Sequence, residues 1–285
     1  MILVRNYVNG IFVDSKEKIE DINPATSEVI ATIPRSNLND VNEAVLAADK
    51  ARDNWSSLSL DERRKWLEKI ANALEARSEE IAKLESLDTG KPIKIARAVD
   101  ASRSVANFRF FAEFSKDFHE QKFLMEDATN HVIFKPVGIA GLITPWNLPL
   151  YLLSWKIAPA IVMGNTVVAK PSELTPLTAN LLAEVFDEVG LPAGVVNIVH
   201  GFGHETGQAI VSHPLVNLIS FTGGTITGKK VAETAAPMFK KLSLELGGKN
   251  ATIVLDDVNL DSAIPEIARS GFLIKVKFAY VVVEF

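Results

Sequence analysis

Cysteine is missing from all 285 residues. That excludes disulfide staples, thiolate metal ligands and a thiolate nucleophile within this stretch of chain. Histidine is scarce, with 5 in all. His200 and His204 stand four apart without a clustered carboxylate, so no metal site is expected. Charge of one sign does not dominate. Lys and Arg number 30 against 35 Asp and Glu, a net charge of −5, and the basic residues are scattered. That leaves no electrostatic footprint for a nucleic-acid partner. Internal repeats and low-complexity tracts are also missing. Met1 to Asn6 is too short an apolar stretch for a signal peptide, which sets a cytoplasmic location as the expectation. One long uncharged run exists, Pro136 to Trp155. Pro145, Trp146, Asn147 and Pro149 interrupt it, and proline breaks helices. It reads as a buried strand, a loop and a core helix, with no membrane span or membrane partner.

What is present is ordinary globular composition, 47% hydrophobic and 23% charged, enough for one large or two smaller domains. The first third reads as mostly helical. Asp40 is placed to cap a helix carrying Val41, Ala44, Val45 and Ala48. Ser59-Leu60-Asp61-Glu62 has the capping-box pattern before Trp66, Leu67, Ile70 and Leu74. Thr89-Gly90-Lys91-Pro92 stops that helical region, and another helix is expected from about Ile93 to Phe111. Residues 117–136 read as an extended excursion, a hairpin.

From residue 138 onward strands and helices alternate. Strands are expected at Ile139–Ile143, Thr166–Ala169, Val195–Val199, Leu218–Phe221, Leu242–Leu246 and Thr252–Leu255. Helices are expected at Tyr151–Met163, from Thr175-Pro176 to Gly190, at Glu205–Val211 and up to about Ala235. Such alternation gives a parallel sheet with crossover helices, an open α/β fold. Ligands in these sheets bind at the carboxyl ends of strands.

Four segments sit at those ends. Thr144-Pro145-Trp146-Asn147 offers a neutral amide suited to an oxyanion, although a loop Asn more often bonds backbone. Lys170-Pro171-Ser172-Glu173 offers a cation and a carboxylate suited to ribose hydroxyls. A carboxylate there also repels a 2′-phosphate, favouring NAD over NADP; the plainer reading is a solvated ion pair. Phe221-Thr222-Gly223-Gly224-Thr225-Ile226-Thr227-Gly228 opens a helix with backbone N–H groups suited to a pyrophosphate. It reads G-x-T-x-x-G, not the dinucleotide fingerprint G-x-G-x-x-G. Gly201-Phe202-Gly203-His204 is a further glycine-rich turn. Ser15-x-x-Lys18 matches a short hydrolase pattern without its partner residues.

Taken together the chain resembles the aldehyde dehydrogenase superfamily over residues 5 to about 273. The residues that carry this are Pro145-Trp146-Asn147-Leu148-Pro149, Gly164-Asn165-Thr166-Val167-Val168-Ala169-Lys170-Pro171-Ser172-Glu173, Phe221-Thr222-Gly223 and Leu244-Glu245-Leu246-Gly247-Gly248-Lys249. Within the superfamily, Arg103 to Phe111 and Pro149 to Lys156 look most like muconic-semialdehyde dehydrogenases. The resemblance implies a Rossmann-like parallel sheet with an N-terminal helical region. An NAD-binding domain would span 1–116 and 137–245, an oligomerisation hairpin 117–136, and the start of a catalytic domain 246–285. It also implies NAD as cofactor, a small aldehyde as substrate and homo-oligomers in intact relatives. In that chemistry a cysteine attacks the aldehyde, Asn147 steadies the oxyanion and Glu245 activates water. Ile143, Thr144, Pro145, Trp146, Lys170, Ser172, Glu173, Gly203, Phe221, Thr222, Gly223, Gly224, Thr225, Gly228 and Leu246 would line the cofactor.

The departure lies at the tail. The family continues Phe-x-Asn-Gln-Gly-x-x-Cys, whereas here Phe272-Leu273 precedes Ile274-Lys275-Val276-Lys277-Phe278, and Ala279 aligns with the cysteine. Reading Ile274 to Phe285 back through the genetic code, one added base yields Asn-Gln-Gly-Glu-Ile-Cys-Leu-Cys-Gly-Ser-Arg-Ile. A one-base deletion after the Leu273 codon is therefore the expectation, and with it a truncated chain without a nucleophile. The alternative is a genuine strand, because Ile274, Val276 and Phe278 alternate with lysines. The nucleotide sequence across these codons decides between them.

Overall fold

The computed structural model describes residues 1–248 and 251–272. Five short strands precede the first helix: β1 (Ile2–Leu3), β2 (Asn6–Val8), β3 (Ile11–Val13), β4 (Lys18–Ile22) and β5 (Val29–Pro34). The expectation of a mostly helical first third is corrected to that extent. Asn9 and Gly10 join β2 to β3 with φ of 53° and 77°. An Asn-Gly pair in the left-handed region is the tight hairpin turn whose twist matches the strands.

Helices then dominate: α1 (Leu38–Ser57), α2 (Leu60–Ala76), α3 (Ser78–Thr89), α4 (Ile93–Ile95) and α5 (Ser102–Phe114). A wide turn at Ala96–Ala101 links the last two, so the expected helix is present and longer than read. The cap of α1 is Asn37, not Asp40. Asp40 sits at the third helical position and returns a bond to the Asn37 N–H, completing a capping box. Ser59 and Glu62 form the expected box at α2. β6 (Gln121–Leu124) and β7 (Thr129–Val132) pair as a separate antiparallel hairpin.

The second half alternates: β8 (Ile139–Ile143), α6 (Pro149–Val162), β9 (Thr166–Lys170), α7 (Leu177–Glu188), β10 (Val196–Ile198), α8 (Gln208–Ser212), β11 (Val216–Gly223), α9 (Thr225–Ala235), β12 (Lys241–Leu246) and α10 (Leu260–Phe272). No helix among the described residues is long and apolar enough to cross a membrane. Thr252–Leu255 is not a strand. Its β-prone residues are exposed and have no pairing partner among the described residues, and strand propensity without a ladder does not hold a strand.

The main sheet runs β12-β11-β8-β9-β10-β2-β3. β12 to β10 are mutually parallel, and the β2–β3 hairpin adds antiparallel at one edge. β1, β5 and β4 form a small separate sheet. Side-chain alternation divides the core between the two faces. Ala140, Leu142, Val167 and Ala169 pack with α2, α5, α6 and α7, around Phe108 and Phe186. Ile139, Ile143 and Val168 pack with α1, α8 and α9. β8 and β9 are buried throughout, as parallel strands covered on both faces must be.

Candidate functional site

The parallel strands all end on one side of the sheet. Register places Leu244, Phe221, Ile143 and Lys170 in a single row across β12, β11, β8 and β9. The chain runs outward from β8 to β9 and β10, then returns to β11 and β12 on the other side. That reversal is a switch point, where loops after neighbouring strands diverge and leave a crevice. Every segment expected to carry chemistry leaves the sheet at or just beyond this row.

Asn147 ends the loop after β8, and each stage of that loop is tied down. The Thr144 N–H donates to the Lys170 carbonyl at 3.2 Å. Thr175 Oγ1 donates to the Trp146 carbonyl at 3.3 Å. Lys91 Nζ donates to the Asn147 carbonyl at 3.2 Å. The Leu148 N–H donates to Asn147 Oδ1 at 3.1 Å. The Asn147 side-chain NH2 has no acceptor among the described residues, so the amide oxygen is occupied and the donor end is free. Trp146 is exposed, Thr144 buried and Pro145 intermediate.

Lys170 ends β9 and is buried. Its Nζ donates to the Pro171 carbonyl at 2.7 Å and to Glu173 Oε2 at 3.0 Å. One of its three donors and one Glu173 oxygen remain uncommitted among the described residues. Burial pushes the Lys170 ammonium down, with Glu173 opposing. Ser172 Oγ accepts from the Leu174 N–H at 3.2 Å, a turn-forming role. His200, at the end of β10, is fully buried, and burial together with Lys170 lowers it to about 3. His204 is exposed against the Phe202 ring, so the two histidines do not converge.

At the end of β11, Gly223 is required by packing. A Cβ there would lie 2.5 Å from the Phe221 ring. Gly228 likewise makes room for Leu246, whose Cδ2 would lie 2.3 Å from a Cβ. Gly203 and Gly224 have open space around them instead. The first turn of α9 thus starts in the open beside Thr222 and Thr225, with N–H groups lacking intrahelical partners. The Gly247 N–H donates to the Gly223 carbonyl at 3.1 Å, and Thr225 Oγ1 donates to the Gly247 carbonyl at 3.3 Å. These bonds hold the segment after Glu245 to the glycine-rich loop. Open glycines, a helix start and the Lys170–Glu173 pair along one edge fit a dinucleotide.

Glu245 is paired in register with Thr222 and is exposed. Ala279 and Lys249 lie outside the described residues, as does the strand alternative for the tail. Ile143 and Phe221 are buried core residues of the row itself.

Sequence reasoning missed Lys156 on α6. Its Nζ donates to Ser220 Oγ at 2.7 Å from a buried position. Burial lowers it to about 8, and the charge of Glu245 acts in the opposite direction. The available signal was a lone charge in an otherwise apolar helix. Lys156 is expected to titrate near 8 in the folded chain, and Glu245→Gln to lower it further. An unfolded lysine titrates near about 10.4, so this group makes stability rise with pH between about 8 and 10.4. A titration of the Lys156 Cε resonance checks this; a midpoint above 10 refutes it.

Comparison with known proteins follows the same lines. The profile of the aldehyde dehydrogenase family matches residues 12–275. The chain is 48% identical over 274 residues to the human 2-aminomuconic semialdehyde dehydrogenase, covering 95% of this chain and 56% of that one. It is 44% identical over 278 residues to the 2-hydroxymuconic semialdehyde dehydrogenase of Pseudomonas sp. strain CF600. The NAD+ complex of a Bacillus cereus aldehyde dehydrogenase superposes with a TM-score of 0.91 at 39% identity, over 94% of this chain and 55% of that one. The chain spans about half the length of the curated relatives it matches. A family match across most of its residues, with the sheet, the Asn147 loop and Glu245 in order around one crevice, places the chain in the aldehyde dehydrogenase family.

Proposed function

We propose that this chain supplies the NAD-binding face and the oxyanion and water-activating groups of an NAD-dependent aldehyde oxidation. The carrying observation is the single row across β12, β11, β8 and β9, with Asn147, Lys170, the Gly223–Gly228 loop and Glu245 on its edge. NAD+ would supply the hydride acceptor, so that aldehyde, water and NAD+ give carboxylic acid, NADH and a proton. Lys170 and Glu173 would hold the adenosine ribose, and the start of α9 the pyrophosphate. The free NH2 of Asn147 would donate to an oxyanion, and Glu245 would accept a proton from water. Relatives named for 2-aminomuconic and 2-hydroxymuconic semialdehydes support a muconic semialdehyde as the aldehyde class.

In this family reading the nucleophile is a cysteine, and the 285 residues contain none. We therefore expect the chain by itself to bind NAD without turnover. Calorimetry with NAD and NADP, and NADH formation with 2-hydroxymuconic semialdehyde, test both halves. Absence of NAD binding sinks the first, and NADH formation abolished by Glu245→Ala sinks the second.

The β6–β7 hairpin, within residues 117–136, we assign to contact with a second copy of the chain. Phe123 and Leu124 stand 53% and 84% exposed on it as adjacent apolar side chains, a surface that a second copy could cover. Leu124→Glu is expected to shift sedimentation toward the monomer; an unchanged distribution removes the assignment.

A further inference from the structure

Beneath the Asn147 loop lies a buried ionic cluster that the proposed chemistry does not use. Lys91 Nζ, with its side chain fully buried, lies 2.8 Å from Asp100 Oδ1 and 3.5 Å from Glu85 Oε2. Its third partner is the backbone carbonyl of Asn147, at 3.2 Å. The other Glu85 oxygen accepts from the Leu150 N–H at 3.1 Å and from Thr178 Oγ1 at 2.8 Å. Pro149, the first residue of α6, has no N–H to give. Glu85 therefore takes the first N–H of that helix start, while Lys91 takes the carbonyl two residues before the proline. The cluster grips both ends of the turn from Asn147 to Leu150.

The geometry points to Lys91 as a positioning residue for the Asn147 amide. Its reach passes through one peptide plane. When Lys91 draws the Asn147 carbonyl inward, the N–H of the same peptide, on Leu148, is turned to the opposite side. That N–H is a donor, so the atom of the Asn147 side chain facing it must be Oδ1. The bond at 3.1 Å fixes the side-chain amide with its oxygen consumed and its NH2 directed away. Loss of the Lys91 contact frees the peptide to rotate. Asn147 then loses the bond that distinguishes its donor end from its acceptor end. A buried cation braced by two carboxylates holds a carbonyl more firmly than a neutral donor would, because charge-assisted bonds are about twice as strong. This role rests on the reading of Asn147 as an oxyanion donor.

The test uses the full chain and reads hydrogen exchange, without need of NAD or turnover. The neutral variant Lys91→Met/Glu85→Gln/Asp100→Asn deletes the bond to the Asn147 carbonyl, leaves no unpaired buried charge and keeps an acceptor for Leu150. Exchange of the Leu148 amide is expected to accelerate about five- to tenfold, the loss of one net hydrogen bond, while Leu150 stays protected. Equal acceleration at both amides would mean a general structural role and would overturn the proposal, as would an unchanged Leu148. Should the variant not fold, the native chain still decides: a Leu148 amide exchanging at unprotected rates contradicts the Asn147 Oδ1 bond. Failure of NAD to bind would remove the functional reading and leave this result untouched.

Discussion

Lys91→Met, alone, is expected to lower the unfolding free energy at pH 7 by about 3–5 kcal/mol, the cost of breaking a buried ion pair from one side. Lys91 is the cation holding two fully buried carboxylates, Glu85 and Asp100. One lysine is already too little for both. Burial first, then the charge of Glu85, pushes Asp100 up to about 7 against the opposing pull of Lys91. Without Lys91 the two buried carboxylates lose their shared cation in a site that excludes water.

The sign follows from linkage. A carboxyl whose folded value is raised gives stability that is present at low pH and lost as pH rises through that value. Removing Lys91 takes away the pull that opposes the rise of Asp100, so the deficit of the variant is largest at neutral pH and shrinks toward pH 5. Denaturant titrations of both proteins at pH 5 and pH 7 measure it. The triple variant with Glu85→Gln and Asp100→Asn should recover most of the loss, since a buried ion group replaced whole is near neutral in stability. A deficit independent of pH, or no recovery, contradicts this account.

Lys170→Met is expected to weaken NAD binding by about 10- to 100-fold, the worth of a hydrogen bond to a charged group. Lys170 spends two donors on Pro171 and Glu173, which fixes the third, and Glu173 is itself held with one oxygen free. The pair is thus set in place before any ligand arrives, and little ordering cost falls on binding. Glu173→Gln removes the charge that would repel a 2′-phosphate, so it should narrow the preference for NAD over NADP. Calorimetry with both dinucleotides on the three proteins reads the two effects. An affinity for NAD unchanged by Lys170→Met would show that the ribose lies elsewhere.

Much of the α/β half could be read in advance because its elements are signalled locally. Ile139–Ile143 is a continuous apolar run and Thr166–Ala169 is rich in β-branched residues, and both are short enough for strands buried on both faces. Ser59 and Glu62 announce a helix start by their spacing. Asp40 misled because Asn37, three residues earlier, also caps well, and the choice depends on which backbone N–H groups are left free. The five short N-terminal strands escaped notice because each is brief; β2–β3 and β4–β5 are local hairpins, and β2 is anchored where it reaches a distant strand. β2 pairs with β10 through Tyr7 and Ile198, far along the chain. Thr252–Leu255 failed in the opposite direction, having strand residues but no ladder among the described residues.

By itself the sequence determined the family and the order of strands and helices from β8 to β12, and it offered Asn147, Lys170, Glu173 and Glu245 as candidates, because each lies in a contiguous motif or periodic pattern. It also determined that no cysteine is present among the 285 residues. Only the tertiary structure decided that the strands leading to those residues end side by side at the reversal of strand order. It alone placed Lys156 against Ser220 near Glu245, and Lys91 beneath the Asn147 carbonyl. These contacts join residues 56 and 64 positions apart. Local propensity carries no information across such a span; burial at the carboxyl edge of the sheet brings the charges together and sets what each one holds.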